Sequence, residues 1–161
     1  MKSLHTCAPR IAGFTLIEVL VVTGIFTILA ALGLFMSLDT YRGVSFRSER
    51  DVIVSILERV RSQAINNVYE KAHGVCYDDT NHQYVMFRGN TYSSGASTNI
   101  TVPASSAVQI PDFPLCRSAS WVIFDQLTGK LNPPTNGLAI TVTQNSRIST
   151  IAINNEGRIN W

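Results

Sequence analysis

The N-terminal part of the chain is dominated by one long apolar run. From Phe14 to Met36 every residue is apolar, Gly or Thr, apart from the single acid Glu18. These 23 residues are enough to cross the hydrocarbon core of a bilayer, which is about 30 Å thick, as one α-helix. The pattern therefore predicts a transmembrane helix over residues 14–36.

Glu18 is the unusual residue in this run. A carboxylate inside a membrane span costs about 3 kcal/mol on insertion scales, so an acid at such a position is expected to have a function. A lone carboxylate in lipid would either take up a proton or find a cationic partner. Glu18 is therefore the first candidate functional residue.

The apolar run also fits, less well, two simpler kinds of segment. A secretory signal peptide has an apolar region of about 7–15 residues, followed by a small-residue cleavage site. Ala30-Ala31 resembles such a site, but the apolar run continues beyond it. An ordinary single-pass anchor fits the length, although it gives no reason to keep Glu18 in the hydrocarbon.

The helical pattern continues past the apolar run. No Pro occurs between Phe35 and Gly74, and apolar residues recur there at spacings of three and four, which is typical of an amphipathic helix. The apolar positions are Val52, Ile53, Ile56, Leu57, Val60, Ala64, Ile65 and Val68. The sequence therefore predicts an amphipathic helix over residues 37–73 that continues the span, with Gly74 as its C-cap.

Beyond this helix the apolar pattern changes to a period of two, which indicates β-strands. The expected strands are the pair 75–77 and 83–87, the pair 138–142 and 150–153, and the apolar segment 121–124. Residues 89–106 are rich in Gly, Ser, Thr and Asn, so we expect a loop there with weak strand content. Residues 74–161 are thus predicted to form a β-rich globular domain, which makes the chain an α+β protein.

The hexapeptide Gly13-Phe14-Thr15-Leu16-Ile17-Glu18, with the apolar run that follows it, resembles the class III signal of type IV prepilins and type II secretion pseudopilins. The resemblance implies that residues 1–13 are a leader, which a prepilin peptidase removes by cleavage after Gly13. It also implies N-methylation of the new first residue, Phe14. Glu18 would be an assembly residue, whose carboxylate pairs with the N-terminal amine of a subunit when that subunit enters a fibre.

The rest of the chain extends this resemblance. A long N-terminal helix, transmembrane in its first half and packed on a C-terminal antiparallel sheet in its second, is the pilin-like architecture. The short chain, the strand order and the closing segment IAINNEGRI are similar to the FimT/GspH-type minor pilins. The resemblance implies a single-pass protein of the inner (cytoplasmic) membrane with its C-terminal domain outside the cytoplasm. Its partners would be prepilin peptidase, other pilin or pseudopilin subunits and inner-membrane lipid.

The charge balance bears on a second class of function, DNA binding. The chain has 13 basic and 11 acidic residues, and loss of Lys2 and Arg10 with the leader would make the two numbers equal. Equal numbers argue against a strong, sequence-independent grip on nucleic acid.

The C-terminus supplies the candidate residues for such binding. Some FimT-like proteins are thought to bind DNA through a Gly-Arg-x-Arg stretch, and the matching stretch here is Gly157-Arg158-Ile159-Asn160, in which Asn replaces the second Arg. We expect DNA binding to be weak. The candidate contacts are Arg158 first, then Arg147 and Lys130.

The cysteines and histidines do not indicate a metal site. Cys7 would be lost with the leader, whereas Cys76 and Cys116 would lie in an oxidising compartment. These two either form a disulfide or remain two buried free thiols. His73 and His82 flank Cys76, but a zinc site needs more convergent ligands than this. We expect neither a metal nor a cofactor.

The sequence also lacks the motifs of common enzymes. It contains no Gly-rich phosphate loop, no nucleophile elbow and no HExxH motif, so we expect no catalytic residue and no enzymatic activity. The function predicted from the sequence is that of a minor pilin or pseudopilin, a structural subunit that assembles into or primes a type IV pilus or a type II secretion pseudopilus. The alternative is a DNA-binding tip pilin for DNA uptake in natural transformation.

Overall fold

The computed structural model describes residues 13–118, 120–133 and 136–161, and it describes residues 34–42 without their side chains. The expected leader, apart from Gly13, lies outside the described residues. The chain divides into two compact units, Met1–Tyr41 and Arg42–Trp161. Helix α1 comprises Leu16–Ile65 and contributes residues to both units.

The second unit combines the C-terminal part of α1 with two antiparallel sheets. The strands are β1 His73–Asp78, β2 Gln83–Arg88, β3 Ile100–Pro103, β4 Val122–Phe124, β5 Leu131–Asn132, β6 Leu138–Gln144, β7 Arg147–Ile153 and β8 Ile159–Asn160. The first sheet has the order β3-β2-β1-β4-β5, and the second has the order β6-β7-β8. The predicted α+β, pilin-like fold class is confirmed.

The helix ends earlier than the predicted boundary at residue 73. Asn67 adopts a left-handed conformation with φ 53°, and its amide donates a hydrogen bond to the carbonyl of Ala64 at 3.1 Å. A left-handed residue just past the last turn is a common helix C-cap, and Asn is the usual substitute for Gly there. The helix therefore stops at Ile65, and a short 3₁₀ turn, Val68–Glu70, leads into β1.

Gly74 has a different role from the predicted C-cap. It lies inside β1, directly opposite Phe87 of β2. A Cβ atom at this position would collide with the Phe87 ring. The close approach of an aromatic ring to the strand is thus what requires the glycine.

Both strand pairs predicted from the period-two pattern are confirmed. Strands β1 and β2 form a hairpin in which Val75 pairs with Met86, and β6 and β7 pair from Leu138–Ile153 to Gln144–Arg147. In the first turn, the Asp78 carboxylate accepts hydrogen bonds from the side chains of Asn81 and Gln83 at 2.7 and 3.2 Å. The bond from Asn81 is the main reason why the pKa of Asp78 lies below its usual value.

The apolar stripe of α1 forms one hydrophobic core with both sheets. Its buried members are Phe46, Ile53, Val54, Ile56, Leu57, Val60 and Ala64. They share the core with Val75, Tyr84 and Phe124 of the first sheet and with Ile140, Val142 and Ile151 of the second. Of the stripe predicted from the sequence, Val52 and Val68 are half-buried, and Ile65 is exposed. Full burial of each Ile or Leu contributes about 1.5–3 kcal/mol, so this stripe is a major source of the unit's stability.

Glu49 brings a carboxylate into this core, where it is 6% exposed. Its two oxygens accept hydrogen bonds from the Tyr84 hydroxyl at 2.5 Å and from the Ser105 amide at 3.0 Å. Burial raises the pKa of Tyr84 far above its ordinary value, and the bond to Glu49 raises it further. Tyr84 therefore keeps its proton and remains a donor to the carboxylate.

We predict that Tyr84→Phe lowers the free energy of unfolding by about 1–3 kcal/mol, because it leaves a buried carboxylate short of one donor. The matched control is Tyr77→Phe, which removes a hydroxyl bonded to Nδ1 of His82 at 3.1 Å in an exposed setting. We expect that control to cost less than about 0.5 kcal/mol. Urea unfolding of the full chain in nonionic detergent micelles, followed by near-ultraviolet circular dichroism, measures both. Equal losses of unfolding free energy in the two variants would show that the Glu49–Tyr84 hydrogen bond stabilises the unit no more than the exposed bond of Tyr77 does.

Candidate functional site

The predicted processing residues lie at the start of α1. Gly13, Phe14 and Thr15 precede the first helical residue, Leu16. The Thr15 side chain accepts a hydrogen bond from the Glu18 amide at 3.3 Å, and the Thr15 carbonyl accepts one from the same amide at 3.1 Å. Thr15 followed three residues later by Glu18 is the capping-box pattern of a helix start. The bond between Gly13 and Phe14 thus lies just outside the helix.

Glu18 occupies the first turn of α1. A negative charge there is favoured by the partial positive charge at a helix N-terminus, which is worth about 0.3–1 kcal/mol at an exposed site. Among the described residues the Glu18 carboxylate forms no ion pair. The residue therefore has a local reason to be acidic, and its charge is still available to a partner.

The apolar part of α1 has the length and composition of a membrane span. The segment Leu16–Gly33 has 18 residues and a mean hydropathy of 2.3, and none of its side chains is buried. Its two hydroxyls are satisfied within the helix, because Thr23 donates to the carbonyl of Val19 at 3.0 Å and Thr27 donates to that of Thr23 at 2.8 Å. Such internal pairing is what a helix needs in lipid, where no water is present to take its polar groups.

Cys76 and Cys116 are joined by a disulfide. Cys76 belongs to β1, and the Cys116 amide donates to the carbonyl of Tyr77 at 2.9 Å, which holds the loop beside the strand. The bond lies against a second, smaller apolar cluster on the other face of the first sheet. That cluster includes Phe87, Tyr92 and Trp121, whose rings meet edge to face.

The two histidines in the described part of the chain, His73 and His82, both form contacts within the fold. His73 is buried, and its Nε2 lies 2.9 Å from the carbonyl of Val68. Because a carbonyl only accepts, Nε2 carries the proton. His82 lies in the turn between β1 and β2 with φ 49°, and it contacts Tyr77. In the part of the chain that the structure describes, no group of three His, Cys, Asp or Glu residues is placed to hold a metal ion.

The three cations predicted as DNA contacts do not form one cluster. Arg147 starts β7, whereas Arg158 lies beside the other end of that strand, because Ile159 pairs with Ile153. Seven residues of extended chain span about 20 Å. Lys130 lies near Arg158 but is paired with Glu156 at 3.1 Å. Only Arg158 and Lys130 therefore share a surface, and that surface includes an acid.

Arg61 is a contributor to this surface that the sequence pattern did not identify. It lies on α1, and it donates to the carbonyls of Gly129 and Glu156 at 3.4 and 3.3 Å. These bonds connect the helix to the β4–β5 loop and to the turn before β8. In the sequence Arg61 is one of several charged residues on the polar face of the helix, and its spacing carries no signal for these contacts.

Gly157 is the tightest point of the same surface. Its φ is +72°, and a Cβ atom there would collide with the carbonyl oxygen of Gly129 and lie 3.0 Å from Nε of Arg61. The glycine next to Arg158 is thus required by the packing of two loops on the helix. This gives Gly157 a structural role that does not involve DNA.

Comparison with known proteins identifies the N-terminal segment. Residues 9–34 match the family model of the prokaryotic N-terminal methylation motif, which is the type IV prepilin-like signal. This motif indicates a type IV pilin-like protein, and it implies processing by a prepilin peptidase and assembly with other pilins in general. The comparisons with curated proteins and with solved structures give no match.

We predict that Gly157→Ala destabilises the unit by about 1–3 kcal/mol through backbone strain, with a further loss from the collision at Gly129. The matched control is Gly95→Ala, because Gly95 has φ +105° and nothing near its absent Cβ. The control carries at least as much backbone strain, so an excess loss at Gly157 must come from the collision. Thermal unfolding of both variants measures the difference, and equal melting temperatures would rule out the packing role.

Proposed function

We propose that the chain is a minor pilin or pseudopilin, a structural subunit that assembles into or primes a type IV pilus or a type II secretion pseudopilus. The observation that carries the proposal is the methylation motif at residues 9–34, joined to an exposed apolar helix with one acid in its first turn. The similarity of the chain's closing segment to FimT/GspH-type minor pilins supports the minor-subunit assignment. We propose a structural role and no catalytic one.

In this proposal the chain is inserted in the inner membrane through residues 14–36, with Arg42–Trp161 outside the cytoplasm. Cleavage between Gly13 and Phe14 releases an amine four residues before Glu18. The carboxylate has no ion pair among the described residues, so it is free to meet the amine of a neighbouring subunit. Such a pair offsets the cost of the charge in lipid only when the two subunits are in register.

Gly13→Val tests the processing step. A Cβ at Gly13 would meet no described atom within 4 Å, so the substitution leaves the fold unchanged. We expect it to block cleavage, because a branched side chain prevents the peptidase from approaching the backbone closely. Gly24→Val is the matched control, since Gly24 is equally open and lies outside the cleavage site.

Mass spectrometry of the membrane-extracted protein measures the result. The parent chain and the Gly24→Val variant should begin with N-methyl-Phe14, and the Gly13→Val variant should keep its leader. An intact leader on the parent chain, in cells with an active peptidase, would reject the proposal.

Glu18→Val tests assembly. We expect cleavage and membrane insertion to persist, because the change removes a cost of about 3 kcal/mol to the single span and loses only about 0.3–1 kcal/mol at the helix start. Incorporation into fibres should fall at least about tenfold if the lost pair is worth 1.4 kcal/mol or more. Thr27→Val, which removes a hydroxyl bonded only within its own helix, is the control and should assemble normally. Crosslinking to the major subunit measures incorporation, and equal crosslinking of all three chains would exclude a role for Glu18.

The second candidate function is DNA binding at a fibre tip. The observation in its favour is Arg158, whose exposed side chain forms no ion pair among the described residues. The observation against it is the Lys130–Glu156 pair beside it, which adds a negative charge to the same surface. A single unpaired arginine offers one phosphate contact, and one contact gives weak and salt-sensitive binding.

A titration with labelled duplex DNA separates the two functions. The full chain in nonionic micelles should bind weakly at low salt and lose that binding at physiological salt. Arg158→Ala should matter no more than Arg117→Ala, which removes an exposed arginine already paired with Asp79. Tight binding at physiological salt that only Arg158→Ala abolishes would replace the structural proposal with the DNA-uptake one.

A further inference from the structure

A small surface around Gly43 in the unit Arg42–Trp161 is not used by the proposed assembly. The guanidinium group of Arg147, the first residue of β7, lies against the helix at Gly43. A Cβ at Gly43 would collide with Nη1 of Arg147 and lie 3.2 Å from its Cζ. The Arg147 guanidinium group therefore covers the space that a side chain at Gly43 would occupy.

The two arginines of this surface, Arg47 and Arg147, form no ion pair among the described residues. The acid Asp51 lines the same groove as Val44 and Arg47, and it is paired with Arg50 at 2.8 Å. Arg47 lies one helical turn beyond Gly43 and is exposed, as is Arg147. The ion pairs of the described residues are Arg50–Asp51, Arg117–Asp79 and Lys130–Glu156, and neither Arg47 nor Arg147 takes part in them. Two guanidinium groups are thus available to an anionic partner.

The same surface exposes two apolar side chains. Val44, next to Gly43, is 62% exposed, and Ile148, next to Arg147, is 69% exposed. We call Val44, Arg47, Arg147 and Ile148 the Gly43 surface. The phosphate backbone of DNA would pair with the two arginines but would make no apolar contact with Val44 and Ile148. A lipid surface has anionic groups above a hydrocarbon layer and so matches both parts of the surface.

The position of Gly43 along the chain indicates that this partner is the membrane surface. Gly43 follows Met36, the last residue of the apolar run, by seven residues. Seven helical residues extend about 10 Å. The headgroup layer adds about 5–8 Å to each side of the hydrocarbon core, so a chain anchored through residues 14–36 has Gly43 close to the membrane surface.

We propose that the Gly43 surface docks on the anionic phospholipid headgroups of the membrane in which the chain is anchored. Arg47 and Arg147 pair with lipid phosphates, and Val44 and Ile148 pack against the outer part of the headgroup layer. The proposal rests on the membrane anchor of the proposed function. Docking sets how the β-rich unit meets the bilayer before the subunit leaves it for a fibre.

The test uses the full chain at one copy per nanodisc, in a Cys7→Ser background, because Cys76 and Cys116 are bonded to each other. A nitroxide label is placed at Ser146→Cys in the hairpin tip, or at Asn155→Cys at the other end of β7. Electron paramagnetic resonance compares the access of oxygen, which is lipid-soluble, with that of a water-soluble nickel chelate. Discs of pure phosphatidylcholine are compared with discs that contain phosphatidylglycerol.

We expect the Ser146 label to be shielded from the nickel chelate in anionic discs and the Asn155 label to stay open in both kinds of disc. Arg147→Gln should reduce the docked population about fivefold in anionic discs, since one arginine near such a surface is worth about that factor. Arg158→Gln removes the same charge at the other end of β7 and should change nothing. Ile148→Ser should weaken docking in both kinds of disc.

The outcomes distinguish this proposal from the function it rests on. A chain that fails to enter discs at all refutes the membrane anchor. A chain that enters discs but leaves the Ser146 label open in both lipids refutes only the docking proposal. Shielding that appears only when duplex DNA is added to phosphatidylcholine discs also overturns it, in favour of nucleic acid, and shielding that Arg147→Gln and Arg158→Gln reduce equally overturns it as a nonspecific charge effect.

Discussion

One face of one helix holds the C-terminal unit together. The two sheets share no strand, and both bury an apolar face on the stripe from Phe46 to Ala64. The direct polar contacts between them are local, such as the hydrogen bond from the Leu131 amide to the Asn155 carbonyl at 3.1 Å. The other features of the unit depend on this arrangement. Glu49 on the helix accepts a hydrogen bond from Tyr84, and Arg61 on the same helix donates hydrogen bonds to two loops. The guanidinium group of Arg147 lies against Gly43 of the helix. A helix that lost this stripe would leave each sheet with an exposed apolar face.

Local patterns in the sequence predicted the local structure well. The two hairpins follow from alternating apolar residues on either side of polar turns, and both registers are short-range. The end of the helix was missed because its cap is Asn67, which takes the left-handed conformation usually given to Gly. The sequence pattern favoured Gly74 as the cap. The structure shows that Gly74 is small because the Phe87 ring lies against it across the sheet, and no local pattern reveals that contact.

The candidate sites also divide into those formed by a contiguous stretch of sequence and those formed by tertiary contacts. The processing motif is contiguous, so its residues could be read directly, and the family model matches the same segment. The cations come from distant parts of the chain, and the sequence could not show that Arg147 and Arg158 lie at opposite ends of β7 or that Lys130 is paired with Glu156. The sequence could not decide between a disulfide and two free thiols for Cys76 and Cys116, because they too come from distant parts of the chain. Its formation depends on residues 114–116 running beside Tyr77, which is a tertiary contact.

The disulfide also has a consequence for a protein exposed to proteases. Cys76 and Cys116 are 40 residues apart in sequence, and the chain between them includes β2, β3 and the loop rich in Gly, Ser and Asn that follows β2. Exposed loops of this composition are preferred sites of proteolytic cleavage. A single cut in this loop opens the ring but releases no fragment, because both new ends remain covalently joined through the two sulfur atoms. The strands that follow this loop therefore stay attached to the helix after a proteolytic cut in the loop.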